Sequence, residues 1–483
     1  MNCSFQGLIC KNPQTRLCVL VRQIMGKESK RLVLGAASMA CLLIVVSLCI
    51  ALLALKDSPF LSWRSEIPNW RGNDDAREVD EVTEERDAVK DLLRRLVIGE
   101  ERNQLEVGGF TCHFDLHTEM CLSANPVRIS NGGLTVHVLT NGSQFERSVR
   151  PYARRDDERM MKPVTPVQIL QGDATNLPPC NFRHSIPAVI FSTAVTGNTF
   201  HEFSEIIIPL FLTCRHFRSQ LKFVTTDRNS SWNQKYSRIL NRLSDFEVLN
   251  LDDGNVHCFP GAVVGLRYHD NLALNTSDVP AGYSMREFRQ FLRESYNVKI
   301  KNVNEIKKLQ KPVMILISRN HTRKFLNEDG VVELAQELGF QVVRAGLDTM
   351  SNLELLAKMV GSCNILAGVH GAGLTNEIFL PDGAVVFQVV PLGLHWASTN
   401  YFDIPATAMN LHYLEYKIEP KESSLSEVYG PDDPVIVDPA SIFAKGYLAA
   451  QAVYVDGQNV KINLDRFKDT LEEAMRLVRH FMA

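Results

Sequence analysis

Short apolar runs alternate with amphipathic stretches along most of the chain from residue 187 onward. Short apolar runs predict buried strands, and apolar residues at helical spacing predict helices. The predicted strands are residues 188–191, 221–224, 313–317, 340–343, 364–366 and 384–390. The predicted helices are residues 197–212, 232–243, 284–296 and 352–360, and one that Asn327 caps and that starts with Glu328 and Asp329.

Alternating strands and helices are typical of a parallel sheet that is covered on both faces. The pattern occurs in residues 106–300 and again in residues 301–483. It predicts an α/β protein with two Rossmann-like domains that face a cleft. Ligands of such sheets bind beyond the carboxyl ends of the strands. Residues 141–180 carry polar and Pro-rich stretches, which predict irregular structure.

The strongest hydrophobic signal lies near the start of the chain. Residues 32–55 contain no charged side chain, and at about 1.5 Å per residue this run spans the roughly 30 Å hydrocarbon core of a bilayer. A signal peptide has a shorter apolar run. Basic side chains outnumber acidic ones in residues 1–31, which are therefore predicted to form a cytoplasmic tail. The chain is predicted to cross the membrane once, with its C-terminal part in a lumen.

The bulk composition narrows the function classes. Among 483 residues, 52 Lys and Arg balance 55 Asp and Glu, which argues against a nucleic-acid partner because phosphate binding requires a basic excess. Residues 56–105 are rich in charge and predict a solvated stem with a helix near residues 89–96. The stem would hold the folded part away from the bilayer.

A luminal location makes disulfides and N-glycans relevant. Six cysteines lie beyond the predicted span: Cys112, Cys121, Cys180, Cys214, Cys258 and Cys363. The short spacing of Cys112 and Cys121 makes them the favoured disulfide pair, with buried free thiols as the alternative. Sequons occur at Asn141, Asn229, Asn275 and Asn320, of which the first three are candidate glycosylation sites.

The most informative stretch for chemistry is GVHGAGLTNEIFLPDGAVVFQ, residues 368–388. Its first glycines lie between a predicted strand and a predicted helix, where glycine allows positive φ and close approach of a ligand. Free N–H groups at the start of the helix would bind an anion such as a diphosphate. The candidate binding residues are His370, Gly371, Ala372, Gly373 and Thr375. A structural turn is the alternative.

A second stretch, ISRNHTRKFL at residues 317–326, directly follows a predicted strand. Ser318, Arg319 and Arg323 are candidate binding residues because guanidinium groups suit bidentate phosphate recognition. A solvated basic loop is the alternative. No Asp-x-Asp motif occurs in the chain, which fits a metal-independent enzyme that neutralises a diphosphate with arginines and a helix end. No cofactor is expected.

A third stretch, TGNTFHEFSEIIIP at residues 196–209, contains Asn198, His201 and Glu205 after a predicted strand. His201 and Glu205 are four residues apart and therefore share one helix face. A histidine supported by a carboxylate can act as a general base for a sugar hydroxyl. An ordinary amphipathic helix with a core histidine is the alternative, and these residues alone favour it.

These three stretches together resemble plant glycosyltransferase family 61, from about Cys112 to the end of the chain. Further matches are YLEYKIEPKESSL and QNVKINLDRF. The HGAGLTN form is similar to the xylan-decorating members of the family. The resemblance implies a GT-B fold and inverting transfer from a UDP-pentose, with diphosphate binding by Arg319, Arg323, the HGAG turn and its neighbours.

The resemblance also implies an active-site role for Asn198 and His201. Family members commonly have Asp where this chain has Glu205, so the assignment of the base stays open between His201 and Glu205. A glycan at Asn320 would crowd the phosphate site, and that sequon is predicted to be unused.

The main hypothesis is a single-pass Golgi pentosyltransferase that uses UDP-xylose or UDP-arabinofuranose and a xylan acceptor, alone or in an oligomer. One alternative is an N-glycan core xylosyltransferase or a protein O-glycosyltransferase of the same family. Another is a non-catalytic Golgi scaffold subunit. The chain has neither a Walker-type P-loop nor a dinucleotide-binding glycine pattern, which disfavours a sulfotransferase or an epimerase.

Overall fold

The computed structural model describes residues 87–482, except 141–144, 174–176, 228, 250, 252, 275, 278, 281 and 307–310. The predicted cytoplasmic tail and membrane anchor, most of the stem, Asn141 and Asn275 lie outside the described residues. The described residues belong to one compact unit, Arg77–Ala483. None of their helices combines the length and apolar character that a membrane span requires.

The described residues form three sheets in a mixed α/β fold. The first sheet has the strand order Phe110–Phe114, Glu119–Ser123, Ala262–Val264, Ala188–Phe191, Lys222–Thr225. The second has the order Phe145–Val149, Val167–Gly172, Thr135–Leu139, Val127–Ser130, His257–Phe259, Phe182–Arg183. The third has the order Gln341–Ala345, Val313–Ile317, Ile365–Val369, Val385–Val390, His412–Lys417, and its strands are all parallel.

The second sheet corrects the expectation for residues 141–180. This range contributes two neighbouring strands, Phe145–Val149 and Val167–Gly172, in place of the irregular structure that its polar composition predicts. Alternate residues of the second sheet, such as Ile129 and Ile169, are buried against Ile190 and Val264 of the first sheet. One face of the first sheet is therefore covered by another sheet, whereas the sequence predicted helices on both faces.

The third sheet agrees closely with the sequence pattern. Each of its first four strands overlaps a predicted apolar run, and Val313–Ile317 has the predicted bounds. One face packs against the C-terminal helix Leu464–Met482, and the other joins the main core. Asn327 does precede the helix Glu328–Glu337, but its side chain bonds the backbone of Ile462 instead of capping the helix.

The helices connect and cover these sheets. The α-helices are residues 87–93, Gly99–Gly108, Glu158–Met161, Thr199–His201, Ile208–Cys214, Ser230–Lys235, Ser237–Leu243, Met285–Tyr296, Glu328–Glu337, Leu347–Ser351, Leu353–Val360, His395–Ser398, Ile404–Ala408, Pro434–Val437, Pro439–Phe443, Tyr447–Ala450 and Leu464–Met482. The 3-10 helices are Arg94–Leu96, Asn131–Gly133, Arg215–Phe217, Val303–Glu305, Ala372–Phe379, Pro420–Glu422 and Ser424–Glu427. Three π-helical segments, Glu202–Ile207, Thr399–Asp403 and Gln451–Asp456, interrupt longer helical stretches.

The main hydrophobic core is continuous from the first sheet to the third. It includes Leu93 and Leu96, so the folded part extends back into the range predicted as a stem. It also crosses the predicted domain boundary at residue 300, because Phe288 and Ile317 belong to the same cluster. The buried guanidinium of Arg289 reinforces this junction by donating to the backbone oxygens of Leu380 and Met409.

Candidate active site

The histidine of the third sequence stretch is held by a buried carboxylate. His201 lies at the end of the helix Thr199–His201, and its Nδ1 lies 2.7 Å from Oε1 of Glu205. Because an ionised carboxylate only accepts hydrogen bonds, Nδ1 is the donor in this contact, which leaves the lone pair of a neutral imidazole on Nε2. The His201 side chain is 26% exposed and Glu205 is fully buried. The imidazole is therefore reachable from solvent, while Glu205 occupies its Nδ1.

Glu205 has two further partners that fix its position. Tyr152 donates its hydroxyl to Oε2 at 2.5 Å, and Arg154 Nη1 lies 3.3 Å from Oε1. Burial and the Glu205 carboxylate raise the pKa of Tyr152, so this phenol stays protonated and keeps donating. Arg154 balances the carboxylate charge, which a buried site requires.

The local backbone explains how these side chains are presented. Asn198 caps the helix by accepting a hydrogen bond from the Phe200 N–H at 3.0 Å, so its side chain has a structural partner. The π-helical segment Glu202–Ile207 follows at once, and such segments are frequent at functional sites. Glu202 points inward, where it accepts from Lys235 and Tyr236.

The glycine-rich turn lies at the carboxyl end of a central strand of the third sheet, as the sequence predicts. Gly371 has φ of +151° and precedes the 3-10 helix Ala372–Phe379, where an α-helix was expected. No acceptor among the described residues bonds the N–H groups of Ala372 and Gly373. These two donors are available to an anion.

Two arginines converge on this turn. A Cβ placed on Gly371 would lie 2.6 Å from Arg319 Nη1 and 3.1 Å from Arg323 Nη1, so glycine makes room for both guanidinium groups. Arg323 donates to the His370 carbonyl at 2.9 Å, and Arg319 donates to Thr322.

The two guanidinium groups form no ion pair with a carboxylate within the part of the chain that the structure describes. Burial lowers the pKa of both arginines, that of Arg323 to about 10 with a contribution from Arg319. The charge of Asp456 offsets only part of the lowering at Arg323. Partly buried cations are normally paired, so this arrangement is typical of a site that binds an anionic ligand.

His370 adds a neutral donor to the turn. Its Nδ1 lies 3.1 Å from the Gln388 amide nitrogen and 3.2 Å from the Ser398 hydroxyl, both of which can donate to it. Burial, together with Arg323 and Arg319, lowers its pKa to about 3. The imidazole is therefore neutral at physiological pH, with its remaining proton on Nε2.

Aromatic contacts bring the two sets of residues together. Phe402 packs edge-on against the His370 ring at 5.4 Å and against the Phe200 ring at 6.1 Å. Phe200 directly precedes His201, and the two rings lie 5.6 Å apart. Phe203 of the same helical stretch contacts Phe379 at the end of the 3-10 helix. A relay of ring contacts thus links the His201–Glu205 pair to the glycine-rich turn.

The remaining residues that the sequence singled out have the following surroundings. The Ser318 hydroxyl donates to Glu328, and Thr375 is fully enclosed. The Asn229 amide donates to Thr196 and its oxygen caps the helix Ser230–Lys235, whereas Asn320 is exposed. No group of three or more described His, Cys, Asp or Glu residues is arranged to hold a metal ion.

The cysteines form two disulfides among the described residues. The expected Cys112–Cys121 pair joins directly opposed residues of neighbouring antiparallel strands, with Cα atoms 4.0 Å apart. A second disulfide, Cys180–Cys258, was not singled out by spacing because its cysteines are 78 residues apart. Cys214 and Cys363 are buried free thiols.

Sequence reasoning missed the residues that support the acid–base pair. Tyr152 and Arg154 lie in the range predicted to be irregular, more than 50 residues from Glu205. Ser398 and Phe402 follow a strand of the third sheet but match no recognised motif. Of these three neighbours of His370, namely Gln388, Ser398 and Phe402, only Gln388 lies in a sequence stretch that was singled out, residues 368–388.

An unpaired arginine cluster beside a glycine turn, next to a histidine–carboxylate pair, is typical of enzymes that transfer a group from a phosphorylated donor. Comparison with known proteins identifies the family. The sequence model described as Glycosyltransferase 61 matches residues 197–387. The chain belongs to glycosyltransferase family 61.

Its relatives include several plant proteins. Alpha-1,3-arabinosyltransferase XAT3 of Oryza sativa subsp. japonica is 36% identical over 374 residues, which cover 75% of this chain and 64% of that protein. Xylan glycosyltransferase MUCI21 of Arabidopsis thaliana is 32% identical over 74% of this chain and 77% of its own length. Beta-1,2-xylosyltransferase XYXT1 of Oryza sativa subsp. japonica is 35% identical over 73% of this chain and 77% of its own length. The chain spans just under two thirds of the arabinosyltransferase.

Proposed function

We propose that the protein is an inverting glycosyltransferase that moves a pentose from a UDP-sugar, UDP-xylose or UDP-arabinofuranose, to xylan. The observation that carries the proposal is the convergence of unpaired Arg319 and Arg323 on Gly371, in the same site as His201 and Glu205. The names of the plant relatives, which are arabinosyl-, xylosyl- and xylan glycosyltransferases, support the choice of pentose and acceptor.

The donor half of the mechanism rests on positive charge and N–H groups. The diphosphate of the UDP-sugar would be bound by Arg319, Arg323 and the free N–H groups of Ala372 and Gly373. The Nε2–H of His370 is a further neutral donor. Negative charge that develops on the leaving diphosphate is stabilised by these groups, and no metal ion is required in this proposal.

The acceptor half rests on His201. A xylan hydroxyl attacks the anomeric carbon, the bond from that carbon to the diphosphate oxygen breaks, and the hydroxyl proton passes to His201 Nε2. Glu205 holds the opposite nitrogen and stabilises the imidazolium that forms. Attack from the face opposite the diphosphate inverts the anomeric centre.

The fold and location are part of the same proposal. We infer a GT-B arrangement in which the third sheet supplies the donor site and the first sheet supplies the acceptor site. The apolar run at residues 32–55 and the basic residues before it support a type II Golgi anchor with a luminal catalytic part. Protease digestion of sealed vesicles tests this topology: we expect the C-terminal part to resist until detergent is added.

Donor profiling of the purified protein tests the activity. The protein is incubated with xylo-oligosaccharides and with UDP-xylose, UDP-arabinofuranose, UDP-glucose or UDP-N-acetylglucosamine. We expect a pentosylated product from one of the two UDP-pentoses, with an anomeric configuration opposite to that of the donor. Transfer from a hexose donor alone, or retention of configuration, would reject the proposal.

A further inference from the structure

A helical stretch between His370 and His201 carries a row of aromatic rings. The stretch comprises His395–Ser398, the π-helical Thr399–Asp403 and Ile404–Ala408. One side of the stretch contacts the glycine-rich turn, because the Ser398 hydroxyl bonds the His370 imidazole. The stretch also contacts the helix Thr199–His201, because the Tyr401 ring lies 4.8 Å from the Phe200 ring.

The row ends in a tryptophan that is open to solvent. Trp396 packs edge-on against Tyr401, with ring centroids 5.7 Å apart, and remains 67% exposed. The other described tryptophan, Trp232, is 3% exposed. A large ring with its surface in water, linked to His201 through Tyr401 and Phe200, indicates a place where a ligand packs.

The surroundings of Trp396 favour a carbohydrate over a protein or a membrane. His395, which precedes Trp396 in the chain, lies 3.9 Å from Glu415, and Glu415 pairs with Lys417 at 2.7 Å. Protein-binding patches are instead contiguous apolar areas of several hundred Å². A pyranose ring has an apolar face that can stack on an aromatic ring and hydroxyl groups at its edge that can bind charged or polar side chains.

We propose that Trp396 and Tyr401 form an acceptor subsite that binds a neutral pyranose ring of the acceptor chain. This ring would neighbour the sugar whose hydroxyl faces His201, because Phe200 joins Tyr401 to His201 through two ring contacts. The subsite rests on the proposed function and deepens it: the acceptor is a chain of at least two pyranose units, and its recognition is separate from donor recognition.

Steady-state kinetics on the full-length protein test the subsite. Trp396→Ala should raise the KM for a xylo-oligosaccharide about tenfold, which corresponds to about 1.4 kcal/mol. The dissociation constant of UDP and the slow hydrolysis of the UDP-pentose by water should stay unchanged. Trp396→Phe keeps a ring and should restore most of the affinity. Phe182→Ala removes a comparably exposed ring, 48% exposed, from the second sheet and should change nothing.

A direct binding measurement separates failure of the subsite from failure of the proposed function. Fluorescence of the wild type is titrated with xylo-oligosaccharides and compared with Trp396→Phe, so that the difference reports Trp396 alone. A saturable signal without any transfer would reject the xylan reaction but support the subsite. An unchanged KM together with no fluorescence response would reject the subsite, and so would a parallel loss of UDP affinity in Trp396→Ala.

Discussion

Arg319 and Gly371 occupy complementary space: the guanidinium Nη1 lies where a side chain at position 371 would begin, 2.6 Å from its Cβ. The contact explains why glycine is needed at this turn. Any larger residue would displace the arginine, and the φ of +151° at Gly371 would strain it as well.

Gly371→Ala should therefore weaken UDP binding without removing any charged group. We expect a loss on the order of tenfold or more, because moving one guanidinium removes a charge-assisted hydrogen bond. Calorimetric titration with UDP measures it. Gly430→Ala is the control, since a Cβ at Gly430 meets no atom within 4 Å. Equal affinities in the two variants would mean that the diphosphate binds elsewhere.

Arg319→Ala and Arg323→Ala should each reduce UDP affinity by about ten- to a hundredfold, which corresponds to roughly 1.5–3 kcal/mol for a hydrogen bond to a charged group. Neither arginine forms an ion pair with a carboxylate among the described residues, so neither change removes the direct partner of a buried acid. Arg344→Ala, which removes an exposed arginine of the same sheet, serves as the control. Unchanged affinity in both site variants would contradict the donor-site assignment.

His201→Ala should lower kcat by about a hundred- to ten-thousandfold and leave UDP affinity nearly intact, because a general base acts on the acceptor and not on the diphosphate. Glu205→Gln should have a smaller effect if the carboxylate only orients the imidazole. His137→Ala, on the second sheet, is the control histidine. If Glu205→Gln is inactive and His201→Ala is active, Glu205 is the base and His201 is not. If both stay active, the base lies elsewhere.

The stability of the protein should depend on pH through His370. In the unfolded chain this group titrates near pH 6.5, whereas burial and the two arginines lower its pKa to about 3 in the folded protein. Between these values the unfolded state binds a proton that the folded state does not, so stability falls as the pH falls below about 6.5. The slope from one group is at most about 1.4 kcal/mol per pH unit.

Urea denaturation of the wild type and His370→Gln at several pH values between about 4 and 7 measures this slope. We expect a shallower pH dependence in the variant. His184 and His216, whose pKa values burial lowers to about 4, remain in both proteins and cancel in the comparison. If the free energy of unfolding depends on pH in the same way in the two proteins, His370 binds its proton equally in the folded and the unfolded state.

Transfer activity should persist in EDTA. The arginines and the N–H groups of the turn provide the positive potential that a divalent cation supplies in other nucleotide-sugar enzymes. Initial rates with and without EDTA, followed by addition of manganese, measure the requirement. A loss of activity that manganese restores would show that a metal ion takes part.

Local patterns in the sequence were sufficient to predict the central strands of the third sheet and the glycine-rich turn. The three central strands, Val313–Ile317, Ile365–Val369 and Val385–Val390, are almost entirely buried and read as continuous apolar runs, and the glycines between strand and helix mark the turn. The spacing of His201 and Glu205 also fixes their contact, because residues four apart share a helix face. Each of these features depends on residues that are close in the chain.

Tertiary structure alone decided the rest. The strands of residues 145–149 and 167–172 are short and half-exposed, so their alternation is weak, and only packing on the first sheet makes them strands. Tyr152 reaches Glu205 across 53 residues. Tyr401, on which Trp396 packs, contacts Phe200 in a distant part of the chain. Contacts between distant segments depend on the burial of side chains in the complete fold. The local hydrophobic pattern of the sequence therefore does not reveal them.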